Sequence, residues 1–165
     1  MILGNRKNIV SKIVSKIISK MVEAQMDYRK FQDTYVIRLD RGEEIVSALT
    51  EFCRNEQILL GTVEALGASD HAVIGLYDVG EKQYHRHSFD GPMEITSLLG
   101  SITTKNGEPY LHLHINLCRE DMSVIGGHLN ECRISATCEM FVRKLEGVVE
   151  RKLDEDGTGL NLFQF

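Results

Sequence analysis

From Gln57 onward the chain reads as one strand after another, and this confines it to a sheet-rich fold. The stretches are ILLGTVEALGAS, HAVIGLYDV, KQYHRHSFD, MEITSLLGSITT, PYLHLHINLCRE and ISATCEMFVRKLEGVVERKL. Turn signals separate them, among them Asp78–Gly80, Asp90-Gly91-Pro92 and Asn106-Gly107. Upstream, TYVIRLD alternates like a further strand. Next, GEEIVSALTEFCRNEQ sets Ile45, Val46, Leu49 and Phe52 at helical spacing. Glu43 and Glu44 fall in the first turn of that helix, where acidic groups suit the helix dipole. One early helix followed by many antiparallel strands predicts an α+β domain, its helix covering one face of a mainly antiparallel sheet.

The chain has 165 residues, 42% of them hydrophobic and only two of them proline. That length suits one domain of roughly 100–200 residues, and no linker or repeat divides it. A single domain is expected over residues 26–165. Residues 1–25 read differently: Ile9/Val10, Ile13/Val14, Ile17/Ile18 and Met21/Val22 recur every four residues with Lys and Ser between them. The spacing predicts a basic amphipathic helix. Four readings of it stay open: a helix packed on the domain or on a second subunit, a mobile extension, a helix on an anionic membrane, or a transit peptide. A spanning helix is not expected, because a lysine every turn interrupts the ~20 apolar residues needed.

Charge follows the same division. Residues 1–25 hold Arg6, Lys7, Lys12, Lys16 and Lys20 against Glu23, a balance of +4; with a chain total of −5, residues 26–165 carry −9. Gripping nucleic acid through its phosphates calls for the opposite sign on the contacting face. The cysteines Cys53, Cys118, Cys132 and Cys138 have no C-x-x-C spacing, which points to neither a zinc ribbon nor a redox pair. With no cleavable signal peptide evident, a cytoplasmic setting and free thiols are expected.

The chemistry concentrates in Pro109–Asn130, PYLHLHINLCREDMSVIGGHLN. Strand alternation turns Leu111, Leu113, Ile115 and Leu117 one way and His112, His114 and Asn116 the other. Imidazoles two residues apart sit roughly 6–7 Å apart along a strand, close enough to converge on one cation. A third ligand is expected from His128, with Gly126-Gly127 forming the tight turn that returns the chain. Three neutral imidazoles suit zinc or another divalent first-row metal with a position open to a small ligand. The competing reading makes these histidines ordinary solvent-facing strand residues. His85 and His87 repeat the H-x-H spacing without an evident third partner, and His71 reads as structural. Glu64, Glu94 and Glu139, each inside an apolar strand, are candidate acids near such a site; Glu94 and Glu139 are the candidate catalytic residues.

Together, GTVEALGASDHAVIGLYD, FDGPMEITSLLGSI and PYLHLHINLCRE with MSVIGGHL resemble the plants-and-prokaryotes-conserved (PPC) domain family. ATCEMFV and RKLDEDGTGLNLF resemble the tail of its bacterial members. The resemblance implies a homotrimer of compact α+β domains, with a metal on three histidines that fall here on His112, His114 and His128. Plant members carry an AT-hook and act in DNA binding and transcription; no R-G-R-P-like element occurs here. The fold is also similar to that of acetolactate decarboxylase, a zinc enzyme with histidine ligands. Three functions follow as expectations. The first is a DNA-binding or regulatory PPC module working as a trimer. The second is a metal-dependent, lyase-like enzyme acting on a small oxygenated acid. The third is a purely structural trimer.

Overall fold

A computed structural model describes residues 26–165, so the helix expected over residues 1–25 lies outside the described residues. The order is β1 (Asp27–Phe31), β2 (Thr34–Asp40), α1 (Ile45–Asn55), β3 (Gly61–Asp78), β4 (Gln83–Lys105), β5 (Glu108–Arg119), β6 (Val124–Lys144), β7 (Glu150–Leu153) and β8 (Asn161–Gln164). The fold is α+β, a mostly antiparallel sheet with one helix among the described residues.

Two strands are far longer than the sequence segments that predict them. β3 fuses two expected strands, and β4 runs for 23 residues straight through Asp90-Gly91-Pro92. Gly91 takes a φ of +107°, open to glycine, and the pairing resumes on both sides with His71 opposite Asp90 and Ser69 opposite Met93. The expected turn is therefore an irregularity inside a continuous strand. Asn106-Gly107 does turn the chain: both residues have positive φ, and Lys105 pairs with Glu108 across a two-residue hairpin.

Length lets a strand change neighbours. β6 pairs with β5 over its first residues, with β3 along the rest, and with β2 near its end. β5 also pairs with β4, and β4 with β3, so β3, β4, β5 and β6 hydrogen-bond in a closed circuit. Its interior holds Ile95, Leu98, Leu113, Ile115, Leu117 and Leu129, all buried. The leucine face of PYLHLHINLCRE thus points inward, as alternation requires.

The helix packs on β5 and β6. Ile45, Leu49, Phe52 and Cys53 form its buried stripe. Glu44 is its N-cap, accepting from Val46 N at 2.9 Å and Ser47 N at 2.7 Å. The same carboxylate accepts from Cys132 N at 3.0 Å, so the cap also ties the helix to β6. All four cysteines are free thiols, with Cys53, Cys132 and Cys138 buried. Among the described residues no helix is long and apolar enough to cross a membrane.

Candidate metal centre

β5 and β6 are joined at residues 119–123, where Arg119 N bonds to Ser123 O and Met122 takes a φ of +64°. Gly126 and Gly127 are therefore not the turn. They lie within β6, opposite Asn116 and Ile115. Their function is close approach. A Cβ on Gly126 would overlap the Asn116 side chain and come within 2.7 Å of Ile115 O. One on Gly127 would come within 2.8 Å of Gly75 O. Two bare backbones let β6 wedge between β5 and β3, and His128 emerges at that wedge, opposite His114 on one side and Gly75 on the other.

The three imidazoles meet there. His112 and His114 have ring centroids 5.1 Å apart; His128 lies 5.2 Å from His112 and 5.7 Å from His114. One ring nitrogen from each falls within 4.8 Å of the other two. Ligands bound tetrahedrally to one zinc-like ion stand roughly 3.3 Å apart, so ring rotation on a fixed backbone closes the gap. The donor set fits a divalent first-row metal. Loss of hydration among packed neighbours pushes the His128 imidazole down to about 4, helped by His112, His114 and Arg86. His112 is lowered by the same loss of hydration and by the charge of Arg151. Both rings are thus neutral near pH 7, the form that donates a lone pair.

Tyr84 sets its ring edge-on to His128 at 5.8 Å, and its hydroxyl accepts from Asn130 Nδ2 at 2.5 Å. The Arg86 guanidinium lies over Tyr84, 5.3 Å from the ring centroid. At the other end of the histidine face, Arg151 of β7 is only 8% exposed, sandwiched between Tyr110 at 4.8 Å and Phe163 at 4.4 Å. Nothing in the local sequence of Tyr84 or Arg151 flags either residue, because the topology alone brings them in.

The other candidates lie elsewhere. Among the described residues no carboxylate joins the three histidines. Glu94 pairs with Cys118, four residues beyond His114, or about 13 Å at strand rise. Glu139 is opposite Leu66 and Arg38, on the exposed side of β6. Glu64 is opposite Leu99, which is itself opposite His114, so two strand spacings of roughly 4.8 Å intervene. His85 and His87 are exposed on β4 outside the cluster. His71 bonds to Asp90 through Nδ1 at 2.7 Å, a structural pairing.

Known proteins give this geometry a family. No curated protein matches the sequence significantly. A candidate DNA-binding protein of Bacteroides thetaiotaomicron is 32% identical, covering 86% of this chain and 98% of that one with a TM-score of 0.83. A metal-containing protein of Archaeoglobus fulgidus is 35% identical over 85% of this chain and 98% of that one, at a TM-score of 0.76. A plant- and prokaryote-conserved protein of Pyrococcus horikoshii is 31% identical over 85% and 94%, at 0.75. The α-acetolactate decarboxylase of Bacillus subtilis matches at 13% identity and a TM-score of 0.49, a likeness too slight to carry any argument. Residues 26–146 match the Plants and Prokaryotes Conserved (PCC) domain, so the chain belongs to that family, the PPC family its motifs resemble.

Proposed function

We propose that this protein is a PPC module that works as a homotrimer and holds one divalent first-row metal, zinc or a neighbour, per chain on His112, His114 and His128. The observation that carries this reading is the meeting of three imidazole nitrogens within 4.8 Å on one sheet face. A bound metal would supply Lewis-acid character there and a position open to a small ligand. The chain's own residues present His112 and His128 as neutral rings, and among the described residues no carboxylate enters the cluster. The metal-containing relative from Archaeoglobus fulgidus supports the reading. A cytoplasmic setting suits the four free thiols.

Trimer assembly draws support from the open sheet face. Leu66 is 57% exposed, Leu99 59% and Phe141 44%, and they border one shallow trough together with Glu64 and Glu139. Contiguous apolar surface of this kind suits a subunit contact. A DNA-associated role draws support from the candidate DNA-binding relative of Bacteroides thetaiotaomicron. The −9 balance of residues 26–165 weighs against a direct phosphate grip. The lyase-like alternative keeps the metal but loses its expected proton carriers, since Glu94 and Glu139 stand apart from the histidines.

Elemental analysis of the purified protein, with its mass in solution, tests the proposal. The expected result is about one first-row metal per chain, a mass of three chains, and loss of the metal in His114→Ala. Unchanged metal content in that variant would remove the site. A duplex DNA shift at low salt that weakens as salt rises would support direct binding.

A further inference from the structure

Among the described residues, Arg151 is a buried cation beside the histidines whose burial the fold alone does not explain. Its Nε donates to Thr103 Oγ1 at 2.8 Å, one terminal nitrogen to Asn161 O at 2.8 Å, and the other to Ser101 Oγ at 3.3 Å. A guanidinium carries five N–H groups, so two remain beyond these three bonds. Among the described residues no carboxylate pairs with it, and its other neighbours are the Tyr110 and Phe163 rings. Taking a cation out of water without an anion is unfavourable. Pinning the β7–β8 hairpin to the sheet does not require that cost, because an apolar side chain could fill the space between two aromatic rings.

Its position gives the charge a use. Ser101, which accepts from Arg151, is directly opposite His112, and Tyr110 beneath the guanidinium precedes His112 by one turn of the alternation on the same face. The guanidinium therefore borders the histidine cluster at its β7 end. Arg86 adds a second cation at the His128 end. A divalent ion on three neutral imidazoles keeps its full charge, and no carboxylate among the described residues joins the cluster to offset it. So strongly cationic a face favours an anion. The planar fork of arginine matches carboxylate and phosphate oxygens.

We propose that Arg151 is the anion-holding residue of the histidine site, and that the site takes a small oxyanion, a carboxylate or phosphate group, which Arg151 grips beside His112. The inference rests on the metal reading for the histidines and on its own observation for Arg151.

The test uses the full chain loaded with cobalt(II), whose visible bands report both uptake and ligand change. The protein is titrated with acetate and, separately, with inorganic phosphate, in wild type and in Arg151→Lys and Arg151→Gln. Expected is a saturable band change with at least one anion in wild type, weakened about tenfold or more in both variants, as loss of a bidentate charged grip implies. Their cobalt bands before anion addition should be unchanged. The responding anion identifies the group. A wild type silent to both anions, or an Arg151→Gln response of wild-type strength, would overturn the proposal. If circular dichroism shows that Arg151→Gln does not fold, Arg151→Lys decides alone, since it keeps the charge and loses only the fork. Should no cobalt bands develop, the metal reading fails by itself. Calorimetric titration of the metal-free chain then decides for Arg151: anion heat lost in the lysine variant supports the proposal, and equal or absent heat overturns it.

Discussion

At the scale of single residues, Leu113 and Ile115 turn into the core and leave His112 and His114 on the opposite face of β5. The histidine pair is legible in the sequence because strand alternation is a local rule. His128 was reachable by its chain distance, yet for a different reason than the glycines suggest. Gly126 and Gly127 serve close packing, which depends on the Asn116 side chain and the Ile115 and Gly75 backbones and so on tertiary contacts. Arg151 carries no local signal at all. The depressed His128 value has a measurable consequence. An unfolded histidine takes its proton at the ordinary value of 6.5, the folded one only at about 4. Between those values the unfolded chain binds more protons, so stability of the metal-free protein falls as pH drops through that window and is unaffected by His128 above it. Urea midpoints at pH 7.5 and pH 5 in chelator should show a larger loss in wild type than in His128→Gln. Equal losses would mean that this ring is better hydrated than its packing implies.

At the scale of elements, local pattern finds the helix and the strand character but misjudges where strands end. Asp90-Gly91-Pro92 has the composition of a turn, and only the partners on β3 keep β4 extended through it. β1 escapes the sequence reading because its five residues are all exposed and show no alternation. The helix start is better specified, and Glu44 joins it to the sheet. Glu44→Ala removes the acceptor for Val46 N, Ser47 N and Cys132 N together. The expected cost is about 1–2 kcal/mol, toward the upper range for a lost cap, because the β6 amide is stranded as well. Chemical denaturation measures it. A change below a few tenths would show that water replaces the carboxylate at all three amides.

At the scale of the whole molecule, the outward face combines two features on neighbouring strands: a trough bordered by Leu66, Leu99 and Phe141, and the histidines beginning at His114, directly across from Leu99. If subunits meet over the trough, assembly and the site are adjacent. Phe141→Asp should lower the solution mass from three chains toward one while leaving the circular dichroism spectrum intact. A variant that keeps the full mass would place the subunit contact elsewhere. The −9 charge of residues 26–165 makes a tight cluster of such chains costly at low ionic strength, so the same mass measurement should show firmer assembly as salt rises.

His128 stands where β6 exchanges one neighbour for another, with β5 on one flank and β3 on the other. A cation taken up at that seam would staple the open end of the β5–β6 hairpin, where the pairing from His114–His128 to Cys118–Val124 closes the wall of β3, β4, β5 and β6. Its grip would be felt by every amide that opens only when the wall opens, as far off as the β2 rim, and metal content would then set the lifetime of the whole shell as well as the chemistry at its surface.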